Sequence, residues 1–293
     1  MSKTALLGLL AETSIHAGTG QSGGVIDLPI QREAHTAWPV IYGSAVKGAL
    51  RAGAEEAGVP WLTQVFGPET ANASEHAGAL LVGDARLLLL PVRSLTSHFK
   101  WVTCPALLKR FAADCARLSL EDLAPTAIPT IEERDRALLP EQTREALYLE
   151  EFRLRSEAAD FTAIIPVLAQ LMGRPDAEDA LRRQLVLVAD DRFSHLAQFA
   201  TPVNAHVRID NRTKTVEPGA LWYEETLPPE TLLTVTLHAQ AVRQQEQTKT
   251  AAEVLAHVTD ELFGQRPYLQ LGGNETVGMG WCKVSVQRVG ESA

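Results

Sequence analysis

The segment that determines the architecture of this chain covers residues 14–51 and reads SIHAGTGQSGGVIDLPIQREAHTAWPVIYGSAVKGALR. An apolar run over residues 4–11 predicts a strand before it, and Gly43-Ser44 predicts the start of a helix. Between the two lies a long glycine-rich loop without a regular pattern. Loops of this length are usually functional or disordered. Since this loop is too apolar for disorder, we interpret it as functional.

The start of the predicted helix has the features of a phosphate-binding site. Ser44 is a good N-cap residue, and Gly43 before it lets the backbone approach a ligand closely. Free N–H groups and the helix dipole attract phosphate to such a terminus. Lys47 and Arg51 are four residues apart, so they share one face and add two cations. Taken alone, the segment fits an ordinary capped helix with a solvated basic face better.

A second glycine-rich segment, residues 271–280, reads LGGNETVGMG and precedes an alternating strand. Its glycines free the backbone to form an anion-binding nest. It is not a Walker loop, because no Gly-Lys-Ser/Thr follows, and it is not a Rossmann turn, because a strand follows instead of a helix. A plain glycine-rich turn is the alternative interpretation.

Four features occur together: an N-terminal strand, HAGTG at residues 16–20, GSAVKG at residues 43–48 and GGNETVGMG at residues 272–280. This combination resembles the RAMP superfamily of CRISPR proteins. The string DLPIQRE at residues 27–33, followed by His35-Thr36 and Trp38-Pro39, resembles one branch of it. That branch is the Cmr-type backbone subunit of type III-B effector complexes. The resemblance runs from the first strand to the last and is weakest over the middle of the chain.

The composition is that of a globular protein, with 293 residues, 45% hydrophobic and 22% charged. The sequence has neither a secretory signal nor a long apolar segment, so we expect a cytoplasmic protein with no membrane partner. Cys104, Cys115 and Cys282 form no CxxC motif and are expected to be reduced core residues. No histidine pair has the spacing of zinc ligands.

The net charge of −9 argues against indiscriminate binding to nucleic acid. The acid is concentrated, however: residues 119–189 carry 14 Asp and Glu against 8 Arg, whereas residues 1–53 have a net charge of +1. Local cations can therefore serve a phosphate backbone. We expect the acidic segment to face other subunits, where charge complementarity directs assembly.

The order of elements predicts an α+β fold with a ferredoxin-like (RRM-like) core. Strand, helix, strand and strand are followed by a large insertion and then by strand, helix and strand. The palm would comprise residues 1–98, 161–189 and 223–293. Residues 99–160 are predicted to be a helical insertion, with a first helix that begins at Pro105.

Residues 190–222 are predicted to be a projecting β-hairpin with 211–214 at its tip. A plain surface hairpin is the alternative. The resemblance implies that this hairpin is a thumb that kinks the guide–target duplex. Phe199, Thr201 and Pro202 fall within it.

The resemblance also implies the partners. Copies of the chain would stack along one guide RNA (crRNA), together with other Cmr-complex subunits. They would hold the sugar–phosphate backbone, while base pairing recognises the complementary target RNA. The residues expected to contact RNA are His16, Ser44, Lys47, Arg51, Gly272, Gly273 and Thr276.

Asp27 is the candidate catalytic and metal-binding residue, because it is a lone carboxylate in an apolar run with no evident structural role. Mg²⁺ or another divalent cation takes such a ligand, and a carboxylate can also help to deprotonate a ribose 2′-OH. The resemblance implies that an acid in this loop cleaves target RNA. Glu224, Glu225 and His16 are candidate helpers. A solvated turn explains the two glutamates equally well, and for His16 we favour an RNA contact or a hydrogen bond that orients the loop.

Two other functions remain open at this point. The chain could be an inert backbone subunit in which Asp27 does not cut. It could also be a RAMP ribonuclease that processes the guide precursor with a loop histidine and no metal. The DLPIQRE string and the large insertion argue against the second alternative.

Overall fold

The computed structural model describes residues 3–68, 77–95, 97–141, 145–242, 249–264 and 266–289. The strands are β1 (Lys3–Ala11), β2 (Val40–Ile41), β3 (Leu80–Val82), β4 (Ala85–Arg93), β5 (Phe99–Thr103), β6 (Arg136–Leu139), β7 (Ala146–Leu149), β8 (Phe152–Ala158), β9 (Leu185–Val188), β10 (Val203–Ile209), β11 (Val216–Glu225), β12 (Leu232–Ala239), β13 (Tyr268–Gln270) and β14 (Trp281–Arg288). The helices are α1 (Gly43–Glu56), α2 (Leu62–Phe66), α3 (Pro105–Arg117), α4 (Ile165–Met172), α5 (Ala177–Gln184), α6 (Asp190–Phe199) and α7 (Ala251–Ala256), and α7 continues into a π-helical turn, His257–Leu262. In this described part of the chain, no helix has both the length and the apolar character that crossing a bilayer requires.

The ferredoxin-like core is confirmed. Strands β14, β1, β12 and β4 lie side by side in this order, and each neighbouring pair is antiparallel. Helix α1 connects β1 to the β3–β4 position and α7 connects β12 to β14, which is the split βαβ arrangement of this fold. Strands β3 and β4 both pair with β12, because the second strand of the fold is interrupted at Gly83-Asp84.

Strand β1 is apolar on both faces because a separate hydrophobic core packs on each. Leu7 and Leu9 belong to the core that contains α1 and α7. Leu6 and Leu10 belong to the core that contains α4. A strand that is covered on both sides has a continuous apolar sequence instead of an alternating one, which explains the run TALLGLLA.

The description of residues 99–160 as a helical insertion is wrong over most of its length. Helix α3 begins at Pro105 as predicted, but β5, β6, β8 and β7 extend the main sheet in the order β4–β5–β9–β6–β8–β7. The charged residues of this segment pair with partners that are far along the chain. Arg136 on β6 contacts Glu157 on β8, and Arg155 on β8 contacts Glu133 at 2.8 Å. Residues 142–144 of the insertion lie outside the described residues.

The first part of the predicted hairpin, residues 190–199, is helix α6. Phe193, Leu196 and Ala197 are buried at helical spacing. Two aspartates occupy the first turn, where their negative charge stabilises the positive end of the helix dipole. Thr201 and Pro202 connect the end of α6 to β10. The apolar residues of 190–199 therefore follow the period of a helix and not that of a strand.

The hairpin itself is present with different bounds. Strands β10 and β11 pair from Val203–Glu225 to Ile209–Val216, so the hairpin runs over residues 203–225. Residues 211–214 lie at its tip as predicted, where Asp210 Oδ1 accepts a hydrogen bond of 2.7 Å from the N–H of residue 212. We call this two-stranded sheet the ribbon, since it is separate from the main sheet. Apart from these corrections to residues 99–160 and 190–222, the division of the chain into palm, insertion and thumb stays a prediction.

Gly8 of β1 supplies a test of the packing between β1 and α4. A Cβ atom at Gly8 would lie 2.3 Å from the carbonyl oxygen of Leu171 and 2.5 Å from Oγ of Ser285. We expect Gly8→Ala to lower the free energy of unfolding by about 1–3 kcal/mol, because the backbone of α4 must move. Chemical denaturation of the purified chain measures this change.

Gly48→Ala is the matched control, because Gly48 is an exposed residue of α1 and a Cβ there would meet nothing within 4 Å. We expect it to raise stability, by up to about 1 kcal/mol. Equal effects of the two substitutions would contradict the close packing at Gly8.

Candidate functional site

Three segments meet at the base of the ribbon: the long loop after β1, the end of β11 and the glycine-rich loop at residues 271–280. Leu28 of the long loop forms a parallel bridge with Glu224 of β11. The N–H of Gly273 donates a hydrogen bond of 2.8 Å to the carbonyl oxygen of His16. The two glycine-rich segments, which are more than 200 residues apart in sequence, therefore lie together.

Asp27 is attached to the ribbon. Its Oδ2 accepts a hydrogen bond of 2.8 Å from the N–H of Tyr223. Leu28 beside it donates to the carbonyl oxygen of Tyr223 and accepts from the N–H of Glu225, at 3.0 Å in both cases. The Asp27 carboxylate is partly exposed. Its position is therefore fixed by β11 while it stays accessible to a substrate.

A groove of about 540 Å³ opens beside Asp27, between the long loop and the ribbon. Arg208 and Trp222 of the ribbon line it. Trp222 stacks on His206 of the neighbouring strand, with ring centroids 5.6 Å apart and an interplanar angle of 15°. Aromatic rings beside a cation are the groups that hold the bases and phosphates of single-stranded nucleic acid. The groove thus places such groups next to a carboxylate.

Glu225 is the buried centre of the site, with 2% of its surface exposed. Its Oε1 accepts hydrogen bonds from Thr201 Oγ1 at 2.6 Å and from the Arg32 guanidinium, and its Oε2 accepts one from the N–H of Ile30 at 3.1 Å. Its backbone carbonyl accepts from Nδ1 of His16 at 2.8 Å. Both carboxylate oxygens are occupied by structural contacts. The role of Glu225 as a catalytic helper stays a prediction that this geometry does not favour.

Glu224 follows the alternation of β11 and is also buried, with 4% exposed. Its Oε1 accepts a hydrogen bond of 2.6 Å from Nδ2 of Asn274, a residue with a φ of +60° in the glycine-rich loop. Glu224 therefore orders that loop. The ring of His16 lies against Gly18, where a Cβ would be 2.6 Å from Nε2. The hydrogen bond from Nδ1 of His16 to the Glu225 carbonyl oxygen joins the long loop to β11, and an RNA contact or a catalytic role for His16 stays a prediction.

Ser44 is not the N-cap of α1, because the helix begins at Gly43. Tyr42 occupies the N-cap position without a side-chain hydrogen bond. Asp84 Oδ1 accepts a hydrogen bond of 2.7 Å from the N–H of Gly43. Asp84 comes from the break between β3 and β4, which the sequence does not place beside α1. A carboxylate of the protein already uses this donor, so less of the helix start is available for phosphate.

Lys47 and Arg51 lie one turn apart on α1 and differ in availability. Arg51 pairs with Glu55 at 2.7 Å and donates to the carbonyl oxygens of Gly67 at 2.9 Å and Pro68 at 3.2 Å. Lys47 is half-buried, and this burial, with a smaller effect of the Arg51 charge, holds the pKa of its amine below the usual value. The RNA contacts of Ser44, Lys47, Arg51, Gly272, Gly273 and Thr276 stay predictions.

Gln31, Arg32 and Glu33 received no role from the sequence, and each makes a long-range contact. Gln31 bonds to backbone groups on both flanks of the loop. Arg32 reaches Glu225, 193 residues away, and Glu33 accepts a hydrogen bond of 2.7 Å from Arg110, 77 residues away. The only signal in the sequence was a run of three polar residues directly after an apolar one. Their partners could not be read from local spacing.

A divalent cation would find a single carboxylate at Asp27. Among the described residues, no group of three or more His, Cys, Asp or Glu side chains is placed to hold a metal ion. Mg²⁺ commonly binds through one or two carboxylates and fills its other positions with water and phosphate oxygens. Asp27 could therefore hold a divalent cation only if water molecules and RNA phosphate oxygens supplied the other ligands.

The fold and the site define an α+β protein with a ferredoxin-like sheet, two glycine-rich loops at one place and a carboxylate beside a projecting ribbon. The family model of the RAMP superfamily matches residues 9–283. The chain belongs to this superfamily, and within it to the Cmr branch, because it is 36% identical to the CRISPR system Cmr endoribonuclease Cmr4 of Pyrococcus furiosus. That similarity covers 98% of this chain and 97% of the relative.

Solved structures agree with this family. The crystal structure of oligomeric Cmr4 from Pyrococcus furiosus has a TM-score of 0.72 and 29% identity, and the match covers 99% of each chain. A cryo-electron microscopy structure of the Type III-B Cmr-beta bound to cognate target RNA has a TM-score of 0.75 at 21% identity, with 98% of this chain and 97% of that chain covered. The second similarity demonstrates the shared fold.

Two glycines with the same backbone conformation test the contact between the loops. Gly272 has a φ of +86° and its Cβ would lie 2.4 Å from the His16 carbonyl oxygen, whereas Gly278 has a φ of +81° and nothing within 4 Å. Both alanine variants bear the backbone strain of about 1–2 kcal/mol. We expect Gly272→Ala to lose about 1–3 kcal/mol more in the free energy of unfolding, because the loops must separate.

Denaturation measures the stability of both variants, and fluorescence anisotropy measures their affinity for guide RNA. Gly272→Ala should also bind guide RNA more weakly than Gly278→Ala. If the two variants behave alike in both measurements, the close approach of the loops has no role beyond the backbone conformation.

Proposed function

We propose that this chain is the guide-RNA-binding backbone subunit of a type III-B CRISPR (Cmr) effector complex and that it cleaves complementary target RNA at regular intervals. The observation that carries this proposal is the position of Asp27, an accessible carboxylate held on β11 beside the groove. The near full-length similarity to a Cmr endoribonuclease supports the choice of RNA as substrate.

Copies of the chain would stack along one crRNA and meet other subunits of the complex. The solved oligomeric Cmr4 supports self-association. The start of α1 and the glycine-rich loop would hold the guide backbone without recognising its sequence. The ribbon would reach into the guide–target duplex, where base pairing selects the target.

The reaction suited to one carboxylate and a ribose is an internal transesterification. Asp27 accepts the proton of the target 2′-OH, and the 2′-oxygen forms a bond to the adjacent phosphorus. The bond from phosphorus to the 5′-oxygen breaks, and that oxygen takes a proton from water. The products are a 2′,3′-cyclic phosphate and a 5′-OH end. A divalent cation held by Asp27 and phosphate oxygens would stabilise the developing negative charge.

The first test of the proposal is Asp27→Asn in the reconstituted complex with crRNA. Asparagine keeps an oxygen that accepts from the Tyr223 N–H, so the loop should stay in place. We expect unchanged target binding and a cleavage rate lower by at least about 100-fold, because the charge and the proton acceptor are lost.

The measurement is single-turnover cleavage of labelled target RNA, with the wild-type complex producing evenly spaced fragments. Asp27→Ala, which also removes the hydrogen bond, serves as the comparison. Target cutting at the wild-type rate by both variants would assign the nuclease to a partner and leave this chain as an inert backbone.

Metal dependence has its own test. We expect EDTA to lower target cleavage by the wild-type complex by at least about 100-fold without releasing the target, and Mg²⁺ or Mn²⁺ to restore it, because the cation stabilises the phosphorane charge. Gel shifts in EDTA are the control for binding. Cleavage that is unchanged in EDTA would remove the metal from the proposed mechanism.

A further inference from the structure

Arg32, Thr201 and Glu225 form one polar cluster where the long loop, α6 and the ribbon meet, and Arg32 is its partly exposed member. Arg32 donates to the carbonyl oxygens of Ala37 and Ala197, each at 2.8 Å, and also contacts Thr201 Oγ1 and Glu225 Oε1. Glu225 and Thr201 are buried, with 2% and 7% exposed. A single guanidinium therefore joins the loop to a helix end and to a strand end.

The same strand end holds Asp27. Glu225 Oε2 accepts from the N–H of Ile30, and Asp27 Oδ2 accepts from the N–H of Tyr223, so loop residues 27–30 run beside β11 residues 223–225. Side chains alternate along a strand, so a slip of one residue would move each side chain to the other face. Such a slip would take Asp27 from its donor at Tyr223 and leave the Glu225 carboxylate away from Arg32.

A buried carboxylate makes this register specific. Removing a charge from water costs free energy unless it is hydrogen-bonded and paired. Glu225 finds a cation, a hydroxyl and a backbone N–H in the observed register. A shifted loop would leave the charge without these partners, whereas the backbone pairing of Leu28 with β11 could form again one residue along.

We propose that Arg32, Thr201 and Glu225 are positioning residues that fix where Asp27 stands on the ribbon, and thereby determine which phosphodiester of the target is cut. The inference rests on the proposed function, because it needs a target that the complex cleaves. It assigns Asp27 and the ribbon to one unit, so the element that enters the duplex also carries the catalytic carboxylate.

Thr201 gives the sharpest experiment, because its hydroxyl can be removed and restored with little change in shape. Thr201→Val removes the donor to Glu225, and Thr201→Ser keeps it. Thr259→Val is the matched control, since Thr259 is 4% exposed and its hydroxyl bonds to the Leu255 carbonyl oxygen at 3.0 Å, outside the cluster. Each variant is assembled into the complex with crRNA. The measurements are target affinity, melting temperature, single-turnover rate and the cut positions at single-nucleotide resolution.

We expect Thr201→Val to cut at least about tenfold more slowly and to spread its cuts to neighbouring phosphodiesters, with target affinity unchanged, because a small displacement of a catalytic group is costly. Thr201→Ser and Thr259→Val should keep the wild-type rate and cut positions. A shift in cut position that occurs in Thr201→Val and not in Thr259→Val separates a positioning role from general destabilisation.

Three results would overturn the inference. The first is that Thr201→Val cuts at the wild-type rate and positions while Asp27→Asn is inactive. This result would refute the inference and leave the proposed function intact. Thr259→Val could spread its cuts as Thr201→Val does, which would make the effect one of stability. A wild-type complex that binds target without cutting would refute the proposed function, and the inference with it.

If Thr201→Val does not assemble, Arg32→Lys is judged by the same criteria. This variant keeps the positive charge and loses the forked guanidinium that contacts three elements.

Discussion

The buried carboxylate of Glu225 is the interaction on which the arrangement of the site depends. A charge with 2% exposure is tolerated only with partners, and here they come from the long loop and from the connection between α6 and β10. Replacing a buried ion pair by apolar residues is often neutral, but removing one partner costs about 3–5 kcal/mol. The cluster therefore contributes less to overall stability than to the choice of one loop position over its neighbours.

The main sheet supplies the rigidity that this loop lacks. Strand β1 lies between two hydrophobic cores, so the point where the loop begins cannot move without disturbing both. The loop itself has few regular backbone pairs and is held by polar side chains such as Gln31, Arg32 and Glu33. An irregular loop on a rigid scaffold is the usual location of a functional site. The rigid core and the candidate site thus lie in different parts of the chain.

The elements that were predictable from the sequence are those fixed by local pattern. The ferredoxin-like core, the start of α3 at Pro105 and the tip of the ribbon follow from apolar period and turn residues. Strands β6, β7 and β8 were not predictable, because their charged side chains pair with residues far along the chain, Arg136 with Glu157 and Arg155 with Glu133. The N-cap role of Ser44 failed because Asp84, a distant residue, bonds to the helix start instead. Burial of Glu224 and Glu225 likewise depends on contacts made far along the chain.

Several arginines pair with acids of the same chain, so in the proposed function RNA binding would depend on assembly. Arg32 pairs with Glu225, Arg51 with Glu55 and Arg110 with Glu33, so these cations are already engaged in a chain whose net charge is −9. Affinity for RNA grows with the number of phosphates that a protein neutralises. A single copy would therefore bind RNA weakly, whereas copies stacked on one guide would add their contacts at high effective concentration. In the proposed filament, each copy contributes one ribbon and one Asp27, so the spacing of the cuts follows the spacing of the copies.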